Sequence, residues 1–554
     1  MVGVAGKSQS CNTCRERRLR VQDSPAPINV APPVANPGPT QCDFRRPVCR
    51  KCVKAKRHCG GYDRGERVFV NRTPSSLATD APSVLSELRA LRQPKAASAE
   101  PEPEADLCRL FSASSSDSRS FRLYALALLE ATYLPKHLSA ESLQGSLSWV
   151  YGLKDLTRES KLLDTSLFAF CLSQFYVTEY ADTSLYLCLN QYNSALQILA
   201  LDLNDSERRL QEETLAAILL LSTCELFISP GPNGWGTHAR GIAEIIRLRG
   251  PEMAPSPGWQ HLVARMRVVC TLEALTKRQG QMILEYDIWR QVIKECGING
   301  PLDEVFHMIA DVPTMLGQAV TLSSISNLNI FTNESAVVVQ AMLEKARTIE
   351  TWIDKFLSDS TTPRFWQMPS RANSPADASL SDKVFPTYFE FEDITVGTPL
   401  TMCWAVIAQL LSNVLQIYDL VTRRLDHHIE FETFLAQAHV AGRDTLGPTS
   451  ASEPQSIEEI KRDGSNMARC VCQSLEYFYQ IDMGTWGSHA TTYPRWSARQ
   501  YFRLHSGYER ERAWVEDIVK MKAPGTRWGL TMMEFPDIAE PLSVFPKQIQ
   551  QSIM

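Results

Sequence analysis

Residues 192–251 read YNSALQILALDLNDSERRLQEETLAAILLLSTCELFISPGPNGWGTHARGIAEIIRLRGP. Apolar residues recur here at three- and four-residue spacing, which places them on one side of an α-helix. SPGPNGWG at 229–236 breaks the pattern with the residues that favour loops, and the helical period then resumes. The same period extends outward through FRLYALALLEATYL (121–134), SLYLCLNQYNSALQILALDL (184–203) and MCWAVIAQLLSNVLQIYDLV (402–421). Few stretches alternate strictly and hairpin signals are scarce. Residues 118–554 are therefore expected to form a large all-helical body, interrupted by loops at 254–259, about 357–395 and 444–457.

A chain of 554 residues is too long for one compact core. Its 44% hydrophobic and 21% charged content is that of an ordinary soluble protein. The best membrane candidate is 400–421, but Gln409, Ser412, Asn413, Gln416 and Asp419 fall on one face. This reads as an amphipathic core helix, not a span. The N-terminus MVGVAGKSQS lacks a long apolar stretch, so no secretory signal is expected. An intracellular chain without a membrane partner follows, and its 15 cysteines are expected to be reduced thiols or metal ligands.

The net charge of −5 hides an asymmetry. Residues 1–72 hold fifteen Lys or Arg against five Asp or Glu, a net +10, which leaves −15 for the remainder. A basic arm on an acidic body points to a polyanion as the partner of the arm alone. Between them, 73–117 is rich in Ala, Ser, Pro and acidic residues and reads as a flexible linker. Only Leu85, Leu88 and Leu91 there have coiled-coil spacing. That falls short of three heptads, so a coiled-coil dimer is not supported. Homodimerisation by other means stays open.

Six cysteines crowd into 49 residues: Cys11, Cys14, Cys42, Cys49, Cys52 and Cys59. Cys11/Cys14 and Cys49/Cys52 are Cys-x2-Cys pairs, a spacing that lets two thiolates grip one tetrahedral zinc. Six thiolates are too few for two separate four-cysteine sites, but suffice if two sulfurs bridge both metals. The segment is too polar to bury cysteines for packing, and one this poor in apolar residues needs a metal to fold.

SCNTCRERRLR followed by CDFRRPVCRKCVKAKRHCGGY closely resembles the fungal binuclear zinc cluster. That pattern is Cys-x2-Cys-x6-Cys, a loop with Arg-Pro, then Cys-x2-Cys-x6-Cys. Cys42, Arg46, Pro47, Cys49, Cys52 and Cys59 match its second part, and Cys11 and Cys14 its start. The resemblance implies two zinc ions held by the six cysteines of domain 1–72, with Cys11 and Cys49 as bridging ligands. It implies double-stranded DNA as partner, read at CGG triplets. The helix after Cys14 would enter the major groove, with Arg18 at the base-contacting position and Arg15, Arg17 and Arg20 mainly on phosphate. Arg50, Lys51 and Lys54, with Lys56 and Arg57, would hold the backbone. Arg50–Arg57 also suits a nuclear import signal, so the expected location is the nucleus.

One departure matters. Twenty-seven residues, not six, separate Cys14 from Cys42. Residues 15–20 fill the expected six, then VQDSPAPINVAPPVANPGPTQ (21–41) intervenes, with six prolines and no Lys or Arg. Removing these 21 residues joins Arg20 to Cys42 and restores the pattern. Every Val codon starts with GT and a Gln codon can be CAG, the boundary signals of an in-phase intron. Residues 21–41 therefore read as a retained intron, with an inserted loop as the alternative. Lengthening the loop costs about 1.3 kcal/mol of closure entropy, against roughly 10–16 kcal/mol from a structural zinc site. The interrupted chain is expected to bind zinc but to read DNA poorly.

The stretch 192–251 resembles the fungal-specific regulatory domain that often follows such clusters. Glu213, Thr214, Leu215, Leu219, Leu220, Glu225, Trp235, His238, Gly241, Arg249, Gly250 and Pro251 carry the likeness. A helical array of side-by-side pairs is implied. His238 and Arg240 are expected to be structural, Cys470 and Cys472 to be packing or surface residues, and the adjacent His427 and His428 cannot both face one ion on a helix. No HExxH, GxSxG, P-loop or GxGxxG pattern occurs, so an enzyme is not expected. The expected function is a DNA-binding regulator of RNA polymerase II promoters, by family habit those of metabolic or secondary-metabolite pathways, working with the transcription machinery or co-regulators. The alternative is an interaction or regulatory variant whose interrupted cluster no longer reads DNA.

Overall fold

The computed structural model describes residues 103–114, 117–136, 149–179, 183–228, 234–250, 259–278, 300–379, 381–426, 428–440, 455–528, 530 and 535. All belong to the unit Ser98–Met554. The six clustered cysteines, the basic residues expected on DNA, the interruption at 21–41, and His427 lie outside the described residues.

The body is mostly helical, as its periodicity predicts. A first series of helices comprises α1 (Pro103–Ala113), α2 (Ser118–Thr132), the single turn α3 (Trp149–Gly152), α4 (Lys161–Thr178), α5 (Leu185–Asn204), α6 (Glu212–Ile228), α7 (Gly234–Arg249) and α8 (Trp259–Lys277). Neighbours in sequence pack on one another: α2 on α4, α4 on α5 and α6, α6 on α7, α7 on α8. A second series follows: α9 (Pro301–Met308), α10 (Val312–Leu322), α11 (Leu328–Ser358), α12 (Ile394–Leu425), α13 (Phe431–Val440), α14 (Ile457–Phe478), α15 (Trp486–Ala490), α16 (Thr492–Leu504) and α17 (Glu509–Glu516). Here α12 is the hub, packed against α11, α14 and α16.

The helices begin where the sequence supplies caps. Asp117, Ser160, Ser184, Asn327 and Asp393 each accept a backbone N–H of the first turn they precede. Ser456 and Glu459 form a reciprocal capping box at α14. Glu179 and Asp426 end α4 and α12 in the left-handed region.

Three expectations meet a different structure. Residues 103–113, read as the end of a linker, form α1, because Leu107 finds the core and is fully buried there. Residues about 357–395, read as loop, contain an antiparallel pair, β1 (Phe365–Pro369) and β2 (Thr387–Phe391), with Phe365 opposite Phe391. Each strand is only five residues long and no two-residue turn joins them, so the usual hairpin signal is missing. Their stability is tertiary: Phe365, Phe389 and Phe391 surround Trp404 of α12.

The third concerns α12. It is long and apolar enough to cross a bilayer, yet 94% of its apolar window is buried inside the protein. It is a core helix, as expected, but its polar stripe is not a solvated face. Gln409, Ser412, Asn413 and Gln416 are buried. Gln409 donates to the Leu275 carbonyl (3.3 Å) and accepts from the Tyr493 hydroxyl (2.6 Å), while Ser412 meets His505 at 2.9 Å. These contacts tie the hub to α8 and α16.

Candidate functional site

Because the expected zinc and DNA residues lie outside the described residues, the chemistry on view is that of the helical body. Its buried polar groups include several ion-paired locks and one unusual cluster.

The WGTHARG motif (235–241) lies in the first turns of α7, and the first two glycines of that helix have a steric reason. A Cβ at Gly234 would collide with the Glu225 carboxylate from α6, and one at Gly236 with the Glu273 carboxylate from α8. The start of α7 thus lies against two acids, at the helix end whose dipole favours negative charge. Glu225 accepts from the Tyr192 hydroxyl, which also lies 3.0 Å from His238 Nε2. Desolvation pulls His238 down to about 4, so the ring is neutral at pH 7. Arg240 pairs with Glu273 at 2.7 Å. The motif is a clamp joining α5, α6, α7 and α8, which supports the structural reading of His238 and Arg240.

Further locks repeat the theme. Arg122 holds Asp164 (2.6 Å) and the carbonyls of Leu156 and Arg158. Arg249 holds Glu212 (2.8 Å) and stacks over Trp259 at 4.1 Å. Arg267 holds Asp303 (3.0 Å). These carboxylates satisfy guanidinium groups that would be costly to bury alone. Sequence reasoning reached Arg249 and Glu225 through the resemblance, but not Arg122, Arg267 or their partners, which are 42 and 36 residues apart in sequence.

The unusual cluster joins distant segments. Arg265 of α8 donates to His489 Nε2 of α15, and His489 Nδ1 lies 2.8 Å from the Tyr133 hydroxyl just after α2. Arg265 sits over the Trp486 ring at 5.0 Å, and Trp149, Phe170 and Trp486 stand edge-on or tilted around Tyr133 and one another. The backbone fixes this arrangement: Trp486 N–H donates to the Tyr133 carbonyl at 2.9 Å. Gly484, at φ +59°, lies where a Cβ would strike that same carbonyl. None of these residues was singled out in sequence, because no local motif marks a contact 224 or 356 residues long.

The eight described cysteines are free thiols. Burial pushes Cys470 up to about 11 and Cys472 well above the usual thiol range, so both pack rather than react, as expected. Among the described residues no His, Cys, Asp and Glu cluster could hold a metal ion. His428 is exposed.

Residues 164–363 match the model of the fungal specific transcription factor domain. The match begins at the Asp164 lock, covers the WGTHARG clamp and ends beyond α11. No curated protein and no solved structure matches the chain. The domain match supports a fungal transcription factor, with a role in transcription regulation.

Proposed function

We propose that the chain is a sequence-specific DNA-binding transcription factor that regulates RNA polymerase II promoters from the nucleus. The carrying observation is the matched domain at 164–363 on a chain whose first 72 residues hold six clustered cysteines and a net +10 charge. A transcription factor domain implies a nuclear role in general.

In this reading Cys11, Cys14, Cys42, Cys49, Cys52 and Cys59 hold two zinc ions. The donor set fits: thiolates suit zinc, and six serve two tetrahedral ions when two sulfurs are shared. The zinc supplies folding energy. Arg18 reads CGG-type bases, Arg15, Arg17 and Arg20 hold phosphate, and Arg50, Lys51 and Lys54 hold the neighbouring backbone. The −15 body repels DNA, which confines the contact to the arm and leaves the body for co-regulators. No catalytic step is required.

The 21-residue interruption favours a second reading, a variant whose cluster binds zinc without reading DNA. One comparison separates them. The intact chain and a chain lacking 21–41 are each assayed for zinc content and for gel-shift binding to a CGG duplex. Two zinc ions in both, with tighter and steeply salt-dependent DNA binding by the deletion, is the expected result. Equal affinities would refute an impaired interrupted form. Failure of both to prefer CGG would overturn the DNA reading.

A further inference from the structure

We propose that Arg265 anchors a binding site for one small monoanion, a halide or short-chain carboxylate, inside the helical body. The inference is independent of DNA binding.

It starts from charge. Arg265 is 4% exposed, and a guanidinium does not give up its proton in proteins. The comparably buried Arg122, Arg249 and Arg267 each hold a carboxylate. Among the described residues none pairs with Arg265, whose contacts are His489 and the Trp486 ring. Its Nε–H has no hydrogen-bond partner. An uncompensated buried charge is strongly unfavourable.

Proton counting then shows that the surroundings donate. Arginine only donates, so His489 Nε2 accepts. Burial and the neighbouring Arg265 hold His489 far below its ordinary range, so the ring is neutral and its one proton sits on Nδ1. Nδ1–H therefore donates to the Tyr133 oxygen, and the Tyr133 O–H must point elsewhere, with no acceptor among the described residues. The Trp149 indole N–H lies beside the same Tyr133 oxygen. Arg265 Nε–H and Tyr133 O–H thus share one deficit, an acceptor. Water would accept without cancelling the charge. One surplus positive charge calls for one negative charge, and the aromatic rings of Trp149, Trp486 and Phe227 packed on Tyr133 and His489 disfavour a heavily hydrated dianion.

The occupant would bridge α2, α8 and α15, and so fasten the C-terminal segment to the first helical series. The test follows Tm of the full chain in potassium bromide and potassium acetate series, balanced to fixed ionic strength with sulfate. The expected wild-type result is a saturable rise of about a few degrees in at least one series. Saturation by bromide alone identifies a halide site, and by acetate alone a carboxylate site. Arg265→Met should abolish the response. A flat wild-type curve in both series, or the same response in Arg265→Met, overturns the proposal. Should that variant not fold, anomalous scattering from bromide-soaked wild-type crystals and density from acetate-soaked ones decide. An anion within hydrogen-bond reach of Arg265 Nε supports the site, and none in either overturns it.

Discussion

At the scale of single residues, the glycines of α7 show how one helix can hold opposite requirements. A Cβ at Gly234 would displace the Glu225 carboxylate, whereas one at Gly241 would meet nothing within 4 Å. Gly234→Ala should destabilise by about 1–3 kcal/mol through overpacking. Gly241→Ala, inside the same helix, should stabilise by about 0.5–1 kcal/mol by reducing backbone entropy in the unfolded chain. Urea unfolding of the two variants checks the signs, and a destabilised Gly241→Ala would contradict the open space beside it. Several other residues of the likeness also have physical roles. Leu215, Leu219 and Leu220 are core, Trp235 is buried, Arg249 closes the lock on Glu212, and Gly250 takes φ +67° just after α7.

At the scale of elements, α12 was legible as a helix but its environment was not. Its pattern shows polar residues on one face, and a lone helix with that pattern would turn them to water. The bundle instead closes over them and supplies partners from α8 and α16. Gln409→Leu should cost about 1–3 kcal/mol, chiefly by leaving the buried Tyr493 hydroxyl without its acceptor. The double variant Gln409→Leu/Tyr493→Phe should recover most of that loss. A denaturant double-mutant cycle measures it, and strictly additive losses would show that the pair is not coupled. The hairpin β1–β2 illustrates the reverse case. Two five-residue strands would be marginal alone, and they persist because aromatic side chains from α12 and α14 complete their packing.

At the scale of the whole molecule, the neutral buried histidines make stability depend on pH. Burial holds His238 and His505 at about 4, against an ordinary 6.5. A depressed pKa means that the unfolded chain binds these protons first. Their contribution is therefore complete above about pH 6.5 and is lost as pH falls toward 4. Urea midpoints should be flat near neutrality and drop between pH 6.5 and 4, with a shallower drop in His238→Gln/His505→Gln. An unchanged slope in that variant would assign the acid sensitivity to other groups. By itself the sequence determined the helical class of the body, the separate basic cysteine-rich arm, and the 21-residue break within it, because period, charge and spacing are local properties. Only the tertiary structure decided which acid neutralises which arginine, that the α12 stripe is buried, and that Arg265 meets no acid among the described residues. Those outcomes depend on which side chains meet across separations such as the 356 residues between Tyr133 and His489, and no local pattern encodes such a meeting.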